Sequence, residues 1–299
     1  MAKGEAGPAS GRTLYVVATP LGNLRDVSLR ALDVLAGVDV IAAEDTRVTA
    51  KLLARHGIAS RLLSVHEHNE RRRAAEIVTL LGDGKSVALV SDAGTPAVSD
   101  PGAAVVRAVT DAGFAVVPVP GPSAVIAALS ASGIAAPRWL FCGFLPASAS
   151  ARRKELERLR DYPCALVFYE APHRIGATLD ALAAGLGAER EVVVARELTK
   201  QFESIHRCRL GEAPVWLAAD PDRGRGEFVV IVDAPIAAAP SDEADAAHDR
   251  TLTVLLSELP LAQAVRNGTD SGVAGEVPRP ARPRAHARAT VHRLDAGLG

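Results

Sequence analysis

The 299-residue chain contains only three cysteines, Cys142, Cys164 and Cys208. Three scattered thiols are too few for a disulfide framework and lack the spacing of a zinc site, so we predict no bound metal. No apolar run approaches the roughly 18 residues that a membrane span needs. The N-terminal stretch MAKGEAGPASGR has no apolar signal core. We therefore expect a cytoplasmic protein without a membrane segment.

The sequence also lacks an excess of charge of either sign. Its 34 lysines and arginines stand against 35 acidic residues, which gives a formal net charge of −1. Bulk charge therefore does not indicate a nucleic-acid-binding protein. No GxxxxGK[ST] motif is present, and no GxGxxG motif follows an apolar strand-like run. A nucleoside triphosphate or a nicotinamide dinucleotide is thus disfavoured as the ligand.

Short apolar runs rich in β-branched residues return at regular intervals along the chain. They predict strands at 14–18, 38–43, 87–91, 114–119, 139–144, 164–169, 191–196 and 227–232. Amphipathic stretches between them predict helices at 26–37, 70–85, 151–160 and 172–186. Unbroken apolar strands that alternate with helices are typical of an α/β fold whose N-terminal sheet is mostly parallel.

The pattern divides the chain into three parts. We predict one α/β domain over residues 13–132 and a second over residues 133–235. Residues 236–299 are predicted to hold a linker, a short helical segment at 251–265 and a disordered tail rich in Gly, Pro, Arg and Ala.

Three turns rich in Gly and Pro follow predicted parallel strands. They are ATPLGNLRD at 18–26, SDAGTPAVSDPG at 91–102 and PVPGPSA at 118–124. Ligands of open parallel sheets bind outside the carboxyl ends of the strands, where Gly lets the backbone approach closely. Every strand–helix unit needs such a turn, so one alone is uninformative. Three at one edge predict a shared binding cleft.

Polar side chains follow other strands. AAEDTR at 42–47, FYEAPHR at 168–174 and VARELTK at 194–200 each place charged groups at a strand end. Ordinary helix capping explains the acidic residues equally well. Arg174 is less readily explained, because a cation near a helix N-terminus is unfavourable and indicates an anionic partner. The HEH triplet at 66–68 lacks further ligands at metal-binding spacing, which disfavours a metal site.

Five blocks together carry a family resemblance. YVVATPLGNLRDVSLRAL, AAEDTR, SDAGTPAVSDPG, PVPGPSA and FYEAPHR occur in this order between about residues 13 and 232. In these blocks the chain resembles the tetrapyrrole-methylase-like class (class III) of S-adenosyl-L-methionine-dependent methyltransferases. TPLGN replaces the Gly-Pro-Gly-Asp turn of the relatives that act on tetrapyrroles and, with AEDTR, resembles the branch that acts on ribosomal RNA.

The resemblance implies two α/β domains with the methyl donor in the cleft between them, and a homodimer. It also implies 2′-O-methylation of a cytidine ribose in the decoding region of small-subunit rRNA. Carried over by motif, the residues that bind S-adenosyl-L-methionine are Pro20, Leu21, Asp92, Ala93, Gly94, Val98, Pro122 and Ser123.

A ribose hydroxyl is a poor nucleophile until a base takes its proton. Polar groups at the strand ends supply the candidates. We expect Glu170 to be the base, with His173 second and Lys200 third, the last only if its pKa is depressed. The candidates for holding the RNA are Asp45, Arg47, Arg174 and Arg196.

Two alternatives stay open at this point. A C-methyltransferase acting on a tetrapyrrole or another small molecule would share the fold, and an assay with a tetrapyrrole would reveal it. A non-catalytic ligand-binding or assembly protein would bind the donor without transferring its methyl group.

Overall fold

The computed structural model describes residues 10–235 and contains a parallel sheet followed by a mixed sheet. The first sheet has the order β3-β2-β4-β1-β5, and all its pairs are parallel. Its strands are β1 Thr13–Val17, β2 Val40–Ala43, β3 Arg61–Ser64, β4 Val87–Val90 and β5 Ala115–Val119. The helices of this half are α1 Leu29–Gly37, α2 Thr46–Arg55, α3 Glu70–Gly82, α4 Ala103–Asp111 and α5 Ala124–Ser132.

The central strands of this sheet are apolar along their whole length because helices cover both faces. Every residue of β2 and β4 is buried. On one face Leu14 and Leu89 pack with Ile77 of α3. On the other, Ile41 packs with Leu35 of α1. Because all five strands run parallel, their carboxyl ends lie at one edge of the sheet, where the chain turns toward its helices.

The second sheet is mixed and has the order β6-β7-β10-β8-β9. Only β6 and β7 run parallel, and the other pairs are antiparallel. Its strands are β6 Trp139–Phe144, β7 Ala165–Glu170, β8 Glu191–Arg196, β9 Ser204–Arg209 and β10 Phe228–Val232. The helices are α6 Ala149–Leu159, α7 Ile175–Leu186 and α8 Ala213–Ala218.

Helix α5 links the two sheets. It follows β5 of the first sheet, yet its buried Val125 and Ala128 belong to the same core as Val193 and Ile231 of the second sheet. Leu21, from the turn after β1, packs against that core as well. Both sheets therefore belong to one compact unit, which includes the described residues 10–235.

The structure confirms the predicted α/β class and parallel N-terminal sheet. Two edge strands, β3 and β9, were missed. Neither strand has an unbroken apolar run in the sequence. This fits their places at the sheet edges, where residues of β9 alternate between partly buried and exposed and β3 has one buried residue. The domain boundaries stay a prediction, and those for residues 236–299, including the helix at 251–265, lie outside the described residues. Within residues 10–235, every helix is too short or too polar to span a lipid bilayer.

Candidate functional site

Hydrogen bonds join the three Gly/Pro-rich turns into one surface. Thr19 and Gly94 exchange backbone hydrogen bonds of 2.8 and 3.0 Å, which ties the first turn to the second. The Thr95 hydroxyl donates to the Pro122 carbonyl at 3.0 Å, which ties the second turn to the third. The predicted clustering of these turns is thus present in the structure.

A cavity of about 340 Å³ lies between this surface and the second sheet. Leu21, Val98 and Ala124 contribute apolar wall from the first half, and Phe144 and Leu198 contribute it from the second. The Tyr169 ring packs edge-on against Phe144, with the ring centroids 5.7 Å apart. The cavity is therefore mostly apolar and is built from both sheets, as ligand sites of drug-like size usually are.

The charged residues that line the cavity are all acidic. They are Asp100, Glu170 and Glu227, and no lysine or arginine is among the described residues that line it. Arg174 Nε lies 3.2 Å from Glu170, and Lys200 Nζ lies 2.9 Å from Glu227, so two of the three carboxylates have a cationic partner. Asp100 has none within residues 10–235. This electrostatic arrangement favours a cationic ligand and disfavours a phosphorylated one.

Two loops that border the cavity hold strained backbone. Ala97, Ser99, Glu197 and Thr199 have φ between +51° and +66°, a region that residues other than Gly rarely adopt. The first pair precedes Asp100, and the second pair lies in the loop between β8 and β9. Such strain persists only where surrounding structure enforces it, and it concentrates at functional sites.

Glu70 supplies part of that enforcement for the loop before α4. One of its carboxylate oxygens, Oε1, accepts hydrogen bonds of 2.8 Å from the backbone N–H groups of Gly102 and Ala104. A carboxylate at a helix N-terminus is electrostatically favoured. The position of Asp100, two residues before Gly102, is therefore anchored by a side chain of α3.

Five of the eight predicted donor-binding residues line the cavity. They are Leu21, Ala93, Gly94, Val98 and Ser123. Pro20, Asp92 and Pro122 are not part of its lining. The Asp92 carboxylate instead accepts the backbone N–H of Asp45 at 2.9 Å, which joins the turn after β4 to the turn after β2.

The predicted bases occupy different surroundings. Glu170 is fully buried at the end of β7 and accepts hydrogen bonds from Thr178 Oγ1 at 2.7 Å and from the Ala171 N–H at 2.8 Å. With Arg174 beside it, this carboxylate is held by three groups of its own half of the protein. His173 is exposed in the turn before α7 and does not line the cavity. The base role of both stays a prediction.

The condition set for Lys200, a depressed pKa, is wrong. Burial by itself lowers the pKa of Lys200, but hydrogen bonds to Glu197 at 2.8 Å and Glu227 at 2.9 Å outweigh that effect and raise it. Lys200 is therefore a cation at neutral pH. Its stem packs against Gly22, where a Cβ would lie 2.3 Å from Lys200 Cγ, so it holds the first turn against the second sheet.

The predicted substrate residues do not form one group. Asp45 caps α2 and pairs with Arg47 at 2.5 Å, and hydrogen bonds from Arg47 lower the Asp45 pKa to about 2. The Arg47 side chain is 86% exposed. Arg174 donates to the Leu145 carbonyl at 2.5 Å, whereas Arg196 donates to the carbonyls of Asp222, Arg225 and Phe202. Their roles toward a substrate stay predictions.

Sequence reasoning missed the residues that assemble and complete the cavity. Thr19 and Thr95 connect the turns, and Asp100 and Tyr169 line the cavity. All four lie inside the sequence blocks that carry the family resemblance, so the sequence indicated that they are near the site. Their individual contacts could not be predicted, because these depend on which turn lies opposite each residue in the fold. No group of three potential metal ligands lies together in residues 10–235.

The residues present fit a sulfonium nucleoside donor such as the family resemblance implies. Gly94 has φ of +85°, and a Cβ there would lie 3.2 Å from Leu21 Cδ2 and 3.7 Å from the Pro122 carbonyl oxygen. The absent side chain thus leaves open a cradle formed by all three turns. An apolar cavity with acidic groups suits a cation that carries a nucleoside and no phosphate.

Comparison with known proteins gives the same assignment. The family model of Tetrapyrrole (Corrin/Porphyrin) Methylases matches residues 13–214. A protein of Vibrio cholerae named Ribosomal RNA small subunit methyltransferase I is 48% identical over 86% of this chain and 89% of its own. The protein of that name from Escherichia coli O157:H7 is 47% identical over 84% of this chain and 87% of its own.

A solved structure confirms the fold. The cobalamin biosynthetic enzyme cobalt precorrin-4 methyltransferase superposes with a TM-score of 0.56 over 74% of this chain and 95% of its own, at 17% identity. The family resemblance drawn from the five sequence blocks is confirmed, and the chain belongs to the tetrapyrrole methylase family.

Proposed function

We propose that this protein transfers the methyl group of S-adenosyl-L-methionine to the 2′-oxygen of a cytidine ribose in the decoding region of small-subunit rRNA. The observation that carries the proposal is the mostly apolar cavity with acidic charges that lies between the three turns and the second sheet. The names of relatives at 47–48% identity support rRNA as the substrate. When bound, the donor supplies an electrophilic methyl group on a positively charged sulfur.

The chain's own residues supply binding and placement. Leu21, Val98 and Phe144 enclose apolar parts of the donor, and Gly94 lets the backbone come close to it. Holding the two reactants in line contributes several kcal/mol to the lowering of the barrier. The exposed Arg47 and the first turn of α3, where Arg71 and Arg72 have no ion-pair partner within residues 10–235, are suited to contact RNA phosphates.

The test is transfer of a labelled methyl group to small ribosomal subunits that lack this modification. We expect label in the rRNA, located by mass spectrometry at one cytidine ribose, and no label in uroporphyrinogen under the same conditions. Transfer to uroporphyrinogen alone would establish the small-molecule alternative. Donor binding without transfer to any subunit preparation would establish the non-catalytic one.

We also propose a homodimer, as the family resemblance implies, and a cytoplasmic location. Strands β5 and β6 are the outermost strands on one side of their sheets. Trp139 of β6 is 45% exposed, an unusual state for a large aromatic residue on an edge strand. Sedimentation equilibrium should give twice the 31.1 kDa chain mass. A monomer would contradict the proposed dimer without affecting the proposed activity.

A further inference from the structure

Of the three carboxylates that line the cavity, one has neither a predicted role nor a cationic partner within residues 10–235. Among the titratable side chains that line it, Glu170 accepts two internal hydrogen bonds and pairs with Arg174, and Glu227 pairs with Lys200. The Tyr169 hydroxyl is protonated at neutral pH, because burial raises its pKa further. Asp100 alone has no cationic partner in the described part of the chain. It is therefore the group most free to accept a proton inside the cavity.

Polar and acidic groups of both sheets lie near Asp100, which itself lines the mostly apolar cavity. The hydroxyl of Ser91, directly after β4, partly offsets the rise in the pKa of Asp100. The carboxylates of Glu44, after β2, and Asp92, after β4, face it from the first sheet. Tyr169 faces it from β7 of the second sheet. No lysine or arginine reaches it from any of these elements.

We propose that Asp100 is the general base that takes the proton of the ribose 2′-hydroxyl, a proposal that rests on the function proposed above. The hydroxyl proton moves to an Asp100 carboxylate oxygen while the ribose oxygen bonds to the methyl carbon. The methyl–sulfur bond breaks, its electron pair stays on sulfur, and the sulfonium becomes a neutral thioether. The proton on Asp100 then leaves to water.

The acidity of Asp100 suits this role. Burial, and next the negative charge of Glu44, raise its pKa from the usual 3.8 to about 6. Above that pH the group is ionised, yet it is a stronger base than an ordinary carboxylate. Proton transfer is most effective when the pKa of the base lies near the working pH. Burying a carboxylate costs free energy, as do the left-handed conformations of Ala97 and Ser99. The hydrogen bond from Gly102 to Glu70 helps to hold the loop in this conformation.

Asp100→Asn is the central test, because it keeps the shape of the side chain and removes its basicity. In single-turnover reactions with small subunits we expect methyl transfer to slow by about 10²–10⁴-fold. Calorimetry should give a donor Kd raised by no more than about tenfold, far less than the loss in rate, since a base acts in the chemical step and the lost charge removes only part of the attraction for the cationic donor. The matched control is Asp111→Asn, at the far end of α4 and 71% exposed, which should behave as the parent protein.

Two measurements on the unsubstituted protein keep the test valid if the variant folds poorly. Carboxyl ¹³C NMR of the unsubstituted protein should show one aspartate titrating near pH 6. The single-turnover rate should rise with pH through the same midpoint and then level off. A flat rate from about one pH unit below that midpoint to about two units above it would contradict the proposal.

The remaining outcomes separate the two proposals. If the parent protein methylates subunits and Asp100→Asn does so within about threefold of its rate, Asp100 is not the base. If donor affinity falls by the same factor as the rate, Asp100 binds the donor and the proposal is overturned. If the parent protein transfers no methyl group to any subunit preparation, the proposed function itself fails, whatever the NMR titration shows.

Discussion

Gly94→Val is expected to weaken binding of S-adenosyl-L-methionine by about 30- to 300-fold, which corresponds to about 2–3.4 kcal/mol. The cause is steric. A Cβ at this position would lie 3.2 Å from Leu21 Cδ2, and the γ-methyl groups of valine reach further toward a cavity that Gly94 and Leu21 both line. Filling a site of closely packed atoms costs about 1–3 kcal/mol even without a ligand to exclude.

The same substitution also destabilises the fold. Gly94 has φ of +85°, where a residue with a Cβ costs about 1–2 kcal/mol. The bonds between Gly94 and Thr19 hold the two turns together, so a shift of this backbone would move the first turn as well. Loss of donor binding must therefore be separated from loss of folded protein.

Gly113→Val is the matched control for that separation. Gly113 has φ of +78° in the exposed turn before β5, and a Cβ there would meet nothing within 4 Å. This variant bears the same backbone cost without filling the cavity. Calorimetric titration of both variants at a temperature where each is folded gives the comparison. Equal donor affinity in the two would show that the turn after β4 is only a connection between a strand and a helix.

The position of the site could be predicted from the sequence because it depends on topology. Apolar runs gave the strands, and parallel strands end at one edge of a sheet. The turns at residues 18–26, 91–102 and 118–124 are rich in Gly and Pro, which marks them locally. Their meeting at the cavity follows from the strand order, in which β1 lies between β4 and β5.

The roles of single side chains could not be predicted in the same way. Asp92 and Asp100 lie in one turn and are equally acidic in sequence, yet Asp92 binds the Asp45 backbone and Asp100 lines the cavity. Ala97 and Ser99 lie between these two aspartates, and their left-handed backbone changes the direction of the chain before Asp100. Neither residue type favours that conformation, so the sequence carries no local signal for it.

The ion pairs of Lys200, and so the direction of its pKa shift, could not be predicted from the sequence either. In sequence it follows Glu197 by three residues, which indicates one partner at most. Glu227 is brought to it only by the antiparallel pairing of β8 with β10. Burial lowers the pKa of Lys200, and the two carboxylates together outweigh that effect and raise it.

Glu170→Ala is expected to lower the free energy of unfolding by about 2–4 kcal/mol. Removing one member of a buried ion pair costs about 3–5 kcal/mol, because the partner charge is left without compensation. Here the Glu170 side chain is fully buried and that of Arg174 is 22% exposed, so solvent recovers part of the loss. Thr178, which is also buried, would lose its hydrogen-bond acceptor in addition.

Equilibrium urea unfolding followed by circular dichroism measures this difference. The control is Glu157→Ala, which removes an exposed partner of Arg153 in α6 at a distance of 3.6 Å. Exposed pairs of this kind contribute about 0.5 kcal/mol or less. A loss in Glu170→Ala no larger than in the control would mean that the buried pair is not a structural element.

Glu170→Gln then separates structure from chemistry at this position. The amide keeps an acceptor for Thr178 and lacks the charge that Arg174 faces, so we expect stability between those of the parent protein and Glu170→Ala. If Glu170 only holds the turn after β7 in place, methyl transfer by folded Glu170→Gln should stay within about tenfold of the parent rate. A loss of about 10²–10⁴-fold with unchanged donor affinity would instead make Glu170 the base, and Asp100 would then need no role in proton transfer.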